Sequence, residues 1–196
     1  MQRPENELSG VGAPRQQRAA RVIIAGATTA SGGGNVAMLL AQALRAAGLE
    51  NDSVEVVDAG ATLDGVRTAS AAGSARYVIV AGMSTATLAA AFAMVKAIET
   101  RHPGARIELL VTGQDESRAH GGYLRVRAAA ERFLGRDVGF AGAFTNLDAA
   151  SADDSNDLES TLRRATRANR AARVWAARLL AECSESAWPD AAHSTN

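Results

Sequence analysis

Short apolar segments punctuate the chain, and between them apolar residues return at three- and four-residue intervals. Arg21–Ala25 is apolar without alternation, as a central parallel strand covered on both faces is. The spacing of Val36, Leu39, Leu40, Ala43 and Leu44 predicts a helix from Gly34 to Ala47, stopped by Gly48. Val54–Val57 predicts a second strand ending at Asp58, followed by a short helix over Leu63–Ala72 and a strand at Tyr77–Ala81. Ser84 or Thr85 caps a long helix to Glu99, with Leu88, Phe92, Val95 and Ile98 as its buried stripe and His102-Pro103-Gly104 as its end. A fourth strand covers Arg106–Thr112. Gln114–His120 reads as a polar connection to a helix at Gly122–Leu134, whose apolar positions are Leu124, Val126 and Phe133. Val138–Phe144 is a fifth strand. After an acidic stretch, a final helix from Asp157 to Glu182 is expected to bury Leu158, Leu162, Val174, Leu179 and Leu180 and to expose its arginines.

Alternating strands and helices with no internal repeat predict an α/β domain: a doubly wound, mostly parallel sheet of about five strands with helices on both faces. The domain occupies residues 21–183, and the polar stretches 1–20 and 184–196 are expected to be disordered tails.

The stretch around which the rest is arranged is the first strand, its loop and its helix. Gly26-Ala27-Thr28-Thr29-Ala30-Ser31-Gly32-Gly33-Gly34 joins an apolar strand directly to a helix. That order brings backbone N–H groups and a helix N-terminus against a phosphate in α/β proteins. The candidate anion-binding residues are Thr28, Thr29, Ser31, Gly32, Gly33 and Gly34. Asp58, at the carboxyl end of the second strand, either holds Mg²⁺ through water or caps its own turn; spacing alone does not choose.

Composition narrows the chemistry further. The chain of 196 residues balances 21 basic against 21 acidic side chains, so no global field favours nucleic acid or anionic lipid. Lys96 is the only lysine, so the loop has glycines and hydroxyls but no cation. One cysteine, Cys183, allows no internal disulfide, and no apolar run is long enough to span a bilayer; a cytoplasmic protein is expected. His102, His120 and His193 are too scattered for a metal site, and no nucleophile–base pair lies in a structured segment.

Several passages, in the same order along the chain, carry a resemblance. The helix Asn35–Gly48 resembles the one after the deviant Walker A loop of MinD/ParA ATPases. Asp58-Ala59-Gly60-Ala61 resembles the D-T-G-A-G element of that family's flagellar-number regulators (the FlhG/FleN type). Ala91-Phe92-Ala93-Met94-Val95-Lys96 resembles their D-A-Y-A-L-I-K helix, and Arg132-Phe133-Leu134 with Val138-Gly139-Phe140-Ala141-Gly142 resembles their R-F-L…L-x-Y-x-G passage. The likeness implies a truncated P-loop NTPase-like fold that binds ATP or ADP.

The departures alter what it implies. In the register set by the first helix, the family's signature lysine falls on Thr28, its phosphate-gripping lysine on Gly33 and its Mg²⁺-binding hydroxyl on Gly34. Loss of such charges lowers turnover by about 10³ or more. The family's strand with the catalytic aspartate and its switch loop have no counterpart between the first helix and Asp58. The aspartate of the D-A-Y element is Ala90, the adenine-side asparagine falls near Gly113, and the D-Q-A-x-x-L-R partner motif is echoed only faintly by Gln16–Arg21.

The expectation is a non-catalytic MinD/ParA-like regulator in flagellar or secretion-system assembly. Its partners would be proteins: a GTPase, a transcriptional regulator or an intact paralogue. One alternative is a weak ATP-binding switch of the same family. Another is a short-chain-dehydrogenase-like oxidoreductase, because the loop is similar to T-G-x-x-x-G-x-G and Phe92–Lys96 mimics Y-x-x-x-K, with Phe92 lacking the hydroxyl. A third possibility makes the arginine-rich last helix a membrane reader; inward packing of Trp175 and Leu179 would instead make it the closing helix of the sheet.

Overall fold

A computed structural model describes residues 20–46, 54–69, 75–113, 116–145, 170–179 and 181. Strands β1 (Ala20–Gly26), β2 (Val54–Asp58), β3 (Ala75–Ala81), β4 (Arg106–Gly113) and β5 (Gly139–Thr145) form one sheet. All pairings are parallel and the order is β2-β1-β3-β4-β5. The expected α/β doubly wound sheet is therefore observed. The winding reverses between β1 and β3, as in flavodoxin-like sheets and unlike the dinucleotide order 3-2-1-4-5-6.

Helices α1 (Gly33–Ala46), α2 (Leu63–Ala69), α3 (Thr85–Arg101) and α4 (Glu116–Leu134) follow β1 to β4 in turn. Two buried clusters flank the sheet, which is why β1 and β3 carry apolar runs without alternation. One joins Ile23, Ile79 and Leu109 to α3 and α4 through Leu88, Val95, Tyr123 and Val126. The other joins Val22, Ile24, Val78 and Leu110 to α1 and to the helical segment 170–179.

That last segment buries Trp175 and Leu179, at 3% and 1% exposure. It is the closing helix of the sheet, and its apolar face is unavailable to a membrane. Among the described residues, no helix is long and apolar enough to cross one.

The structure corrects several readings of the pattern, among them the α3 stripe, where Phe92 is only partly buried and Ala91 and Met94 join Leu88, Val95 and Ile98. Helix α4 begins at Glu116, inside the stretch Gln114–His120 read as a connection. Its buried stripe is Ala119, Gly122, Tyr123, Val126 and Ala130, whereas Leu124 and Phe133 are exposed at 46% and 67%. Ala119, Gly122 and Ala130 let the helix lie close to the sheet, Tyr123 and Val126 fill the space beside them, and Leu124 and Phe133 face out. Val174 is likewise exposed, at 66%. The acidic stretch, Leu158, Leu162, Leu180, Cys183 and both expected tails (apart from Ala20, which begins β1) lie outside the described residues.

Candidate functional site

The carboxyl ends of β1, β2 and β3 bring the loop residues Ala27–Gly34 beside Asp58 and the turn after it. Gly26 N–H donates to the Gly60 carbonyl at 2.9 Å, and Ala59 N–H donates to the Ile24 carbonyl at 2.8 Å. Ala27 N–H reaches across to the Val80 carbonyl at 2.7 Å, so the loop leaves β1 tied to strands on both sides.

Beyond Ala27 the loop closes on itself. Thr29–Ser31 form a single 3₁₀ turn, which the pattern did not predict. Thr28 N–H donates to Ser31 Oγ at 3.0 Å, Ser31 N–H donates to the Thr28 carbonyl at 3.0 Å, and the two hydroxyls share a bond of 2.9 Å. Ser31 is 1% exposed, which explains why its hydroxyl needs an internal partner. Gly32 then takes a left-handed conformation (φ 73°), and Val36 N–H donates back to its carbonyl to start α1. The amides of Gly26, Ala27, Thr28 and Ser31 are thus committed to acceptors within the protein.

Gly33 and Gly34 open the helix for different reasons. A Cβ on Gly33 would stand 2.8 Å from the Gly26 nitrogen and 3.1 Å from its Cα, so α1 touches β1 backbone to backbone there. A Cβ on Gly34 would stand 3.0 Å from Asp58 Oδ2. Asp58 meanwhile accepts from Gly60 N–H through Oδ1 at 2.9 Å. One carboxylate oxygen therefore closes the turn, and the other faces the first turn of α1. The helix already has an anion of its own at its positive end.

The candidate residues therefore do come together. Thr28 and Ser31 are bonded to each other, Thr29 is exposed, Gly32 caps the 3₁₀ turn, Gly33 is wedged against Gly26, and Gly34 faces Asp58. The loop offers a nucleotide triphosphate no lysine, a phosphate at the helix end would meet the Asp58 carboxylate, and four of the loop amides already have acceptors within the protein.

On the far side of β3 from the loop, the space above β4 is filled. Met83, after β3, packs so close to β4 and α4 that a Cβ on Gly113 or Gly122 would lie 3.1 Å from it. Two surface depressions lie away from the loop. An open one of about 540 Å³ is lined by Glu116, Ser117, His120 and Phe140, and one of about 100 Å³ lies between α2 and α3. His120 packs edge-on to Phe140 at 5.2 Å between ring centres, and Tyr123 donates its hydroxyl to the Val138 carbonyl at 3.1 Å. Neither arrangement pairs a nucleophile with a base. Among the described residues no group of three or more His, Cys, Asp or Glu side chains could hold a metal ion.

One charged centre lay beyond the reading of motifs. Glu108, 2% exposed within β4, receives Arg76 at 2.5 Å and Arg106 at 3.1 Å, with Arg178 of the closing segment at 3.8 Å. Its sequence signal was a lone carboxylate in an apolar strand. The cluster lies at the amino ends of the strands, opposite the Asp58 edge, and ties the closing segment to the sheet; Arg178 also donates to the Phe140 carbonyl at 3.1 Å.

No protein-family model matches this chain, and a search of curated proteins finds no match either. The resemblance to MinD/ParA proteins therefore stands on the quoted residues alone.

Proposed function

We propose that this chain is a non-hydrolysing regulatory protein of MinD/ParA type that acts in the cytoplasm by binding other proteins. The observation that carries the reading is the approach of Gly33 to Gly26, with 2.8 Å between a would-be Cβ and the Gly26 nitrogen. At the position where the resemblance expects the phosphate-gripping lysine, this backbone has no room for any side chain. Self-bonding of Thr28 and Ser31 and the placement of Asp58 support the same conclusion.

The strand order also bears on the resemblance. The strand that ends at Asp58 is β1's direct neighbour, which sets the carboxylate beside the loop. The same order weighs against a dinucleotide-dependent oxidoreductase, whose β1 lies between β2 and β4 with β3 outside β2, whereas β3 lies directly beside β1 here. A role in flagellar or secretion-system assembly, with a GTPase, a transcriptional regulator or an intact paralogue as partner, follows from the resemblance to flagellar-number regulators and is proposed on that basis.

Thermal unfolding with and without millimolar Mg-ATP or Mg-ADP tests the reading. A ligand of the native state at a hundredfold excess over Kd adds about 2.7 kcal/mol of stability. The expected result is no shift. A clear rise in melting temperature would replace this reading with that of an ATP-binding switch.

A further inference from the structure

The outer face of α4 carries Arg118, Arg125 and Arg132 at seven-residue spacing, and all three are exposed. Seven residues are two helical turns, so the guanidiniums stand in one row about 21 Å long. None of the three is in a salt bridge among the described residues. The nearby carboxylate, Glu131, is engaged with Arg127, which also pairs with Asp137. Arg132 instead lies over the Phe133 ring at 5.2 Å.

Beside this row the helix surface is shallow. Gly121 has no neighbour within 4 Å of a would-be Cβ, and Ala128, seven residues on, is exposed. Leu124 borders this seam on the side away from the arginines, at 46% exposure. Phe133 lies beyond the arginine row, at 67% exposure and edge-on to Phe92 of α3. A smooth seam between Leu124 and a row of cations, with Phe133 beyond the row, has the shape and charge of a helix-docking face.

We infer that this face of α4 docks an acidic amphipathic helix of a partner protein. The inference rests on the reading above, that the chain acts by binding proteins. Carboxylates at heptad spacing on the incoming helix meet the three arginines in register, and guanidinium forks pair with carboxylates bidentately. The small residues of the seam let the two axes approach to about 8 Å. A bilayer fits the face less well, because the apolar face of α4 (Ala119, Tyr123, Val126, Ala130) is already buried against the sheet and cannot insert.

The test titrates the full chain into a fluorescent, lactam-stapled peptide helix about three heptads long, with Leu along one seam and Glu at successive heptad positions. A matched peptide carries Lys in place of Glu. The expected result is binding of the Glu peptide only. It should weaken about tenfold or more in the R118E/R125E/R132E variant, which should in turn bind the Lys peptide. The A128W variant, which fills the seam and keeps every charge, should also lose the Glu peptide.

Equal binding of the Glu peptide by wild type and triple variant would overturn the inference, and so would failure of both peptides to bind. Arginine-dependent capture by phosphatidylglycerol vesicles or by poly(U) RNA without peptide binding would overturn it in favour of lipid or RNA. A self-association abolished by the triple substitution would make the occupant a second copy. These outcomes are separate from the nucleotide test. A shift with Mg-ATP leaves the peptide result standing, and loss of peptide binding leaves a nucleotide-free loop standing.

Discussion

A Cβ on Gly33 would lie 2.8 Å from the backbone nitrogen of Gly26, whereas one on Gly34, the next residue, would meet only the tip of the Asp58 carboxylate at 3.0 Å. Two adjacent glycines of one loop thus obey different constraints. Backbone cannot move aside without shifting the helix; a side-chain oxygen can rotate. Gly33→Ala is expected to destabilise the protein by about 1–3 kcal/mol, the range for overpacking a close contact. Gly34→Ala should be near neutral, since better helix propensity offsets the small adjustment. Denaturant titration of the two variants checks the contrast.

Asp58 is expected to act on α1 through its charge. Asp58→Asn keeps an oxygen for Gly60 N–H and removes the negative charge facing the helix start. The predicted loss is about 0.3–1 kcal/mol, diminishing as salt is added. Asp58→Ala loses the turn bond as well and should cost more. Urea unfolding at low and high ionic strength separates the two contributions.

The centre at Glu108 is predicted to be the costliest polar site among the described residues. Its side chain is 3% exposed and that of its partner Arg76 is 10% exposed. Removing one member of a buried pair typically costs about 3–5 kcal/mol, so Glu108→Ala should fall in that range. Because Arg178 reaches the same carboxylate, the closing segment should loosen too. Hydrogen exchange across residues 170–179 should therefore rise more than exchange in α1.

Acid should weaken the join between β1 and β2. The hydrogen bond from Arg21 holds the Glu55 carboxyl below the usual carboxylate range, and the bond raises Arg21 in turn. A lowered carboxyl contributes stability above its unfolded-state value and loses it as pH falls through the folded one. Arg21 stays protonated across this range, so the pH dependence of the pair follows the Glu55 carboxyl alone. Glu55→Gln should thus cost under about 1 kcal/mol at neutral pH, given that Glu55 is 48% exposed. The difference from wild type should shrink as pH falls through the lowered Glu55 value and vanish once that carboxyl is protonated. Melting temperatures across that range provide the check.

Sequence pattern alone determined the class of fold, because apolar runs alternating with helical periodicity have few other ways to bury themselves. It also found the loop from Gly26 to Gly34 and the carboxylate at Asp58, since glycine-rich strand–helix junctions and acidic strand ends are local features. It misjudged α4, where small residues against the sheet carry little hydropathy and Leu124 and Phe133 point outward. Only the tertiary structure decided how the loop is held. Whether Asp58 faces a cation or a helix end depends on the neighbouring strand. Whether Gly33 has room for a side chain depends on Gly26, across the helix–sheet contact. Pairing of Glu108 with Arg76, Arg106 and Arg178 likewise needs two strands and a helix from separate parts of the chain. Contacts between distant segments arise from packing, and periodicity along the chain does not encode them.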